Sequence, residues 1–161
     1  MIIVRIIVIS DTHRHQVDLI DRMIEIEKPD LILHLGDNVE DGEKISKIFG
    51  IETIIVKGNG DFNSDYLYDR ILEVEGKRIF MTHGHRYNVK KSHMSLYYKG
   101  LKTDADIVLY GHTHVPINVK EEGIIIMNPG SPSLPRQRER IKTIGLIEIN
   151  GDITTKIIEM K

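Results

Sequence analysis

The 161-residue chain reads as an α/β protein in which two mixed sheets lie face to face with helices outside. Three features predict this. Short apolar runs at residues 2–9, 31–35, 53–57, 78–82, 107–110 and 124–127 are continuous rather than alternating, the pattern of strands buried on both faces. Stretches with apolar residues at helical spacing separate the early runs. In the later half, turn sequences divide the apolar runs into antiparallel hairpins.

The first run, residues 2–9, is only about nine residues long, is interrupted by Arg5 and meets polar residues without a small-residue cleavage site, so it reads as a strand and not a signal. Val17, Ile20 and Ile24 then recur at helical spacing until Pro29, which cannot continue a helix, and the strand at 31–35 completes a strand, helix, strand unit. A second helix over 42–49 is expected to turn Ile45, Ile48 and Phe49 inward and to end at Gly50. The strand at 53–57 follows. Residues 71–79 read as a hairpin, and a third helix over 89–99 is expected to end at Gly100. Beyond the strand at 107–110, a hairpin over 115–127 turns at Glu121-Glu122-Gly123. Runs at 144–149 and 153–158 form the last pair across Asn150-Gly151, a favoured two-residue turn. No repeat, linker or low-complexity segment interrupts this order, so one domain spanning 1–161 is expected.

A chain of this length can bury roughly 70% of its unfolded surface in one core. Its 22 Lys and Arg against 24 Asp and Glu leave a formal charge of -2, so there is no general attraction to nucleic acid or anionic membrane. The local basic cluster Arg136-Gln137-Arg138-Glu139-Arg140 is the one exception noted. With no cysteine there is no disulfide framework and no thiolate metal site, which suits a reducing cytoplasm. No stretch approaches the roughly 20 apolar residues needed to span a bilayer.

Five polar motifs directly follow apolar runs: Asp11-Thr12-His13, Gly36-Asp37, Gly58-Asn59-Gly60-Asp61, His83-Gly84-His85 and Gly111-His112-Thr113-His114. In open α/β sheets ligands bind beyond the carboxyl ends of the strands, so these motifs converge on one edge. Asp11, His13, Asp37, Asn59, His83, His112 and His114 offer only oxygen and imidazole nitrogen, donors that suit two borderline divalent cations. Two such cations lower the pKa of bound water and neutralise the oxygens of a phosphodiester, so hydroxide is the expected nucleophile. No competing Ser or Cys nucleophile motif is present.

These motifs, in this order and over essentially the whole chain, resemble the calcineurin-like metallophosphoesterase superfamily, and within it the small bacterial and archaeal phosphodiesterases. The resemblance implies one metal on Asp11, His13, Asp37 and His114, and a second on Asp37, Asn59, His83 and His112, with Asp37 bridging. It also implies Mn(II) as the metal supporting activity best, with Ni, Co, Fe or Zn suiting the same ligands, and a homodimer. The expected architecture is a four-layer α/β/β/α sandwich, and the expected substrate a small phosphodiester. Many members carry a histidine after the Asn that serves the leaving group, where this chain has Gly60. The loss implies good leaving groups or another donor, and His85 is the nearest candidate catalytic residue. Asn59 and His85 are the residues expected to touch substrate.

Asp61 is expected to orient a ligand or cap the next turn. His34 reads as a hydrogen-bonded core histidine, and His15 and His93 as surface or helix residues. Asn128-Pro129-Gly130-Ser131 recurs in the family and either shapes the floor of the site or is a plain turn. Arg14 and Arg136 are read as surface arginines by default, with phosphate contact as the alternative. Residues 62–69, with Phe62, Tyr66, Leu67 and Tyr68, either line the site or pack on a hairpin. The rival to an enzyme is a non-catalytic scaffold, because the retromer subunit is similar to these enzymes. That relative carries altered ligands, whereas every matching position is intact here, and a phosphomonoesterase or nuclease is the alternative within enzymes.

Overall fold

The computed structural model describes residues 2–13 and 17–160. Arg14 and His15, and the side chain of Val17, lie outside the described residues. In chain order the elements are β1 (Val4–Ile9), α1 (Val17–Glu27), β2 (Leu31–His34), α2 (Val39–Phe49), β3 (Glu52–Ile55), β4 (Asp69–Val74), β5 (Lys77–Thr82), α3 (Met94–Thr103), β6 (Ile107–Leu109), β7 (Ile117–Glu121), β8 (Ile124–Asn128), β9 (Thr143–Asn150) and β10 (Asp152–Glu159).

Two five-stranded mixed sheets result, ordered β10-β9-β1-β2-β3 and β4-β5-β6-β8-β7. Each contains a parallel trio, β1-β2-β3 in one and β5-β6-β8 in the other, extended by antiparallel strands. Successive side chains alternate faces, and both faces are covered. Ile6, Val8 and Leu33 meet Ile79, Met81 and Leu109 between the sheets. Ile7, Ile9 and Ile32 point the other way, under Ile20 and Ile24 of α1 and Ile45 of α2. On the second sheet Phe80, Val108 and Ile126 face Leu96 of α3. This double burial is why the strands read as unbroken apolar runs, and it gives the four layers helix, sheet, sheet, helix.

Several expectations need correction. Gly100 does not end α3 but lies buried within it, where a Cβ would come within 2.8 Å of Val108 Cγ2; the glycine lets helix and sheet approach. The helix starts five residues later than expected and ends at Asp104, which takes the left-handed conformation. Ile48 is 62% exposed and not inward, while Ile45 and Phe49 carry the packing of α2. The last hairpin pairs Asn150 with Asp152, leaving Gly151 alone between the strands with positive φ, in place of the two-residue turn across Asn150-Gly151. Among the described residues no helix is long and apolar enough to cross a membrane.

Candidate metal centre

Because the two trios are parallel within themselves, β1, β2 and β3, and β5, β6 and β8, present their carboxyl ends along one edge. The sheets are stitched together there. Asp11, after β1, accepts at Oδ2 from the His112 backbone N–H (3.0 Å) after β6 and from the Ser10 hydroxyl (2.7 Å). His83, after β5, donates Nδ1–H to the Leu35 carbonyl at 2.8 Å across the seam. Ser131 of the Asn-Pro-Gly-Ser turn donates to the Asp11 carbonyl at 2.8 Å, and the Asn128 amide donates to the Gly111 carbonyl and Thr113 hydroxyl. That turn therefore forms the floor of the site. The strand ends leave no room for side chains at two glycines. A Cβ on Gly111 would meet Ser10 and Asp11, and one on Gly58 would meet Asp37 and come within 2.9 Å of His83 Nδ1.

Asp11, His13, Asp37, His112 and His114 all adopt positive φ, between 47° and 70°. Non-glycine residues there are disfavoured by about 1 kcal/mol or more each, and such strain gathers at functional sites. The chain thus turns sharply after each strand, returning side chains over the strand end.

These side chains form two groups that could each hold a metal ion, Asp11 with His13 and His114, and Asp11 with Asp37 and His83. Asp11 Oδ1 lies 3.3 Å from His114 Nε2 and 3.6 Å from His83 Nε2, and Asp37 Oδ2 lies 3.5 Å from His83 Nε2 and 3.7 Å from His13 Nε2. Ligands about 2.0–2.2 Å from one ion sit at about this separation from each other. The donor chemistry also fits. Carbonyls accept only, so the contacts of His83 with Leu35 and of His114 with Leu134 (2.6 Å) place the proton on Nδ1 and leave the Nε2 lone pair facing the centre. Among the described residues Asp11 Oδ1 and His83 Nε2 are buried without a hydrogen-bond partner, a costly arrangement unless a cation takes both.

Charge within the cluster is mutually set. Burial works to raise the Asp11 carboxyl, but His114, 3.3 Å away, and the charge of His83 hold it at about 2. Burial works to lower His114, and the neighbouring Asp11 carboxylate outweighs it and raises this imidazole. His112 is lowered to about 4 by burial and by the charges of His83 and Lys90, against the pull of Asp11 and Asp37. Burial likewise lowers His13, against Asp11 and Asp37.

Of the sequence-derived site residues, Asp11, His13, Asp37, His83 and His114 fall in the two groups, and the His112 ring lies 5.2 Å from that of His83. Asn59 is exposed in the turn between Gly58 and Gly60; the Gly60 N–H donates to Asp37 Oδ1 at 2.9 Å. His85 stands beside the cluster, its ring 5.4 Å from His83, with a buried Nδ1 that has no hydrogen-bond partner among the described residues. Burial and the His83 charge lower its affinity for a second proton. Asp61 binds no cluster side chain. Its carboxylate accepts from the backbone N–H groups of Asp37 (2.7 Å), Asn38 (2.9 Å), Val39 (3.1 Å) and Gly58 (2.9 Å), which orients Asp37 and caps the start of α2. His34 is fully buried, bonded through Nε2 to the Thr12 hydroxyl and through Nδ1 to the Gly36 N–H, a core histidine. His93 pairs with Glu121, and Arg136 is exposed. Ser10 and the Leu35 and Leu134 carbonyls were not legible in the sequence, because backbone acceptors carry no residue signature. Tyr68, whose ring is 5.4 Å from His85, was legible only as a pocket-lining alternative.

The chain matches the calcineurin-like phosphoesterase superfamily domain over residues 4–152. It is 31% identical over 153 residues to a probable metallophosphoesterase, YsnB, of Bacillus subtilis, covering 93% of this chain and 87% of that protein. It is 27% identical over 146 residues to the phosphodiesterase MJ0936 of Methanocaldococcus jannaschii, covering 76% and 81%. A predicted phosphoesterase of Streptococcus pneumoniae superposes with a TM-score of 0.81 at 29% identity, covering 99% of this chain and 91% of that one. The chain belongs to the calcineurin-like phosphoesterase superfamily, and its metal-ligand clusters with these relatives support a metal-dependent hydrolase.

Proposed function

We propose that this calcineurin-like phosphoesterase hydrolyses a small phosphodiester at a binuclear centre. The observation that carries the reading is a pair of buried metal-donor atoms without a hydrogen-bond partner among the described residues, Asp11 Oδ1 and His83 Nε2, 3.6 Å apart at the meeting point of two ligand groups. Asp11, His13, Asp37 and His114 are assigned to one ion and Asp37, Asn59, His83 and His112 to the other. Asp37 suits the shared position, since its Oδ2 faces one histidine from each set. When bound, two divalent cations, with Mn(II) the expected pair, supply Lewis acidity towards the phosphoryl oxygens and an activated water.

The residues of the chain do the rest. Leu35 and Leu134 hold two imidazoles with their lone pairs inward, so the centre is organised before a cation arrives. Asn59 is neutral and limits the negative charge gathered on its side. Asn59 and His85 are assigned to contact with substrate. His85 prefers the neutral ring, so it serves as a hydrogen-bond donor to the leaving oxygen more than as a reservoir of a full proton. Good leaving groups are favoured accordingly. The name of the Methanocaldococcus relative supports a diester.

The test strips the protein with chelator and measures hydrolysis of bis-p-nitrophenyl phosphate and p-nitrophenyl phosphate, each with and without Mn(II). Cleavage restored by Mn(II) and faster on the diester is expected. Restored cleavage favouring the monoester would replace the diesterase with a monoesterase. Two bound ions per chain without turnover in Mn(II), Ni(II) or Co(II) would overturn the enzyme in favour of a scaffold.

A further inference from the structure

Two imidazoles of the centre are aimed by carbonyls, His83 by Leu35 and His114 by Leu134. His85, the residue assigned to the leaving oxygen, has no such anchor. Among the described residues its buried Nδ1 has no hydrogen-bond partner, and its ring lies 5.4 Å from those of His83 and Tyr68 and 6.2 Å from that of His112. A donor misplaced by about 1 Å loses much of its effect on a reaction. The segment that carries His85 must therefore supply the order that its own hydrogen bonds do not.

One carboxylate holds that segment on both sides. Asp69 opens β4 and stands directly opposite Thr82, the last residue of β5. Its Oδ1 accepts from the Thr82 hydroxyl at 2.7 Å, one residue before His83, and its Oδ2 accepts from the Tyr87 hydroxyl at 2.5 Å, two residues after His85. Between those points the chain turns at Gly84, with a φ of 107°, and the Tyr87 N–H donates to the Gly84 carbonyl at 3.0 Å. The Tyr87 ring also meets Phe80 of β5 edge-on, with centroids 6.2 Å apart. The loop from Thr82 to Tyr87 is thus closed through Asp69, by two charge-assisted bonds.

The residue before Asp69 supplies the wall beside the imidazole. The Tyr68 ring packs against His85 and carries Lys57 Nζ at 4.5 Å and the Arg86 guanidinium carbon at 4.8 Å from its centroid. The Lys57 N–H donates to the Leu67 carbonyl at 3.0 Å, which ties this stretch to the chain leaving β3. The wall at His85 and the turn that bears it therefore share Asp69 as a fixed point.

Building on the phosphodiesterase reading, we infer that Asp69 is a positioning residue for His85: by holding Thr82 and Tyr87 and carrying Tyr68, it sets the imidazole against the leaving group. His83 and His114 keep their own carbonyl anchors, and Asp37 is oriented from Asp61. Loss of Asp69 should accordingly remove assistance to the leaving group and spare metal binding.

The test compares methyl phenyl phosphate with methyl p-nitrophenyl phosphate in Mn(II), two diesters that differ only in how well the departing phenoxide bears charge. Asp69→Ala should lower kcat about tenfold more on the phenyl ester than on the p-nitrophenyl ester, with KM little changed. In a His85→Ala background the same substitution should add no further selectivity. Asp69→Asn, whose amide can bridge both hydroxyls, should stay near wild type, and Tyr87→Phe, which keeps the ring on Phe80, should fall between. In the metal-free protein the His85 Cε1–H resonance, displaced by the Tyr68 ring, should move in Asp69→Ala towards that of an exposed histidine, while the buried His34 resonance stays in place. Equal losses on the two esters, added selectivity in the His85→Ala background, Asn as damaging as Ala, or an unmoved His85 resonance would each overturn the inference. No turnover of either ester by the Mn(II)-loaded wild type would instead sink the diesterase, and the His85 resonance would then decide by itself whether Asp69 holds the imidazole.

Discussion

The interior between the sheets and the layer at the strand ends are built from the same strands and obey opposite rules. Leu33 in β2 is fully buried among apolar neighbours from both sheets; four residues on, Asp37 turns back with positive φ and leaves an oxygen facing His13 and His83. In the first region every contact stabilises the folded chain. In the second, left-handed residues and unpartnered buried donors cost stability, and the arrangement persists because the rigid strands below hold it. Stability and activity are thus separable a few residues apart on one strand.

Substitutions should expose that separation. The largest effect is expected at the centre, where Asp11→Asn should lower Mn(II)-dependent turnover of bis-p-nitrophenyl phosphate by about 10³-fold, the loss of several kcal/mol of charge stabilisation. The same variant should also melt below wild type in chelator, but by less than a core truncation, because His114 and His83 hold the folded Asp11 carboxyl at about 2 and its charge therefore adds stability at neutral pH. A fall as large as that of a core truncation would break the comparison.

Leu33→Ala is expected to do the reverse. It should cost about 2–5 kcal/mol in urea denaturation, as for other large-to-small changes in a closed core, while the folded protein still binds its full complement of Mn(II). Loss of metal at full folding would show that the core tunes the site directly.

Asp61→Asn, which joins the two regions, should have the smallest effect. The carboxylate accepts four backbone N–H groups, and an amide oxygen cannot serve them all, so a loss of about 1.5–3 kcal/mol is expected at neutral pH. Burial works to raise this carboxyl, and the four N–H groups hold it below its ordinary value in the folded protein. Its contribution is therefore complete above about pH 4 and is lost as pH falls through the folded value. Wild type and variant should converge in acid when unfolding is followed from pH 7 downwards; a constant gap would place the role of Asp61 outside its charge.

Much of the fold was legible because burial on both faces leaves a local trace. The runs at 31–35, 78–82 and 107–110 became β2, β5 and β6 within a residue or so. Where tertiary packing overrode local preference the reading slipped: Gly100 resembles a helix stop and is a contact point with Val108, and Ile48 has the spacing of a core residue and faces solvent. Asn150-Gly151 is a strong turn signal, yet Asn150 stays in β9 opposite Asp152 and only Gly151 lies between the strands, a register set by the faces β9 and β10 bury.

The order of elements, the donor residues and their place at strand ends were determined by the sequence alone, since side-chain chemistry and the periodicity of burial are local properties. Only the tertiary structure decided which oxygen of Asp11 takes the Ser10 and His112 donors and which faces the histidines, and that His83 is held by a carbonyl from the other sheet. Those depend on how two sheets meet across a seam, and backbone acceptors and relative placement leave no mark in a string of residue types.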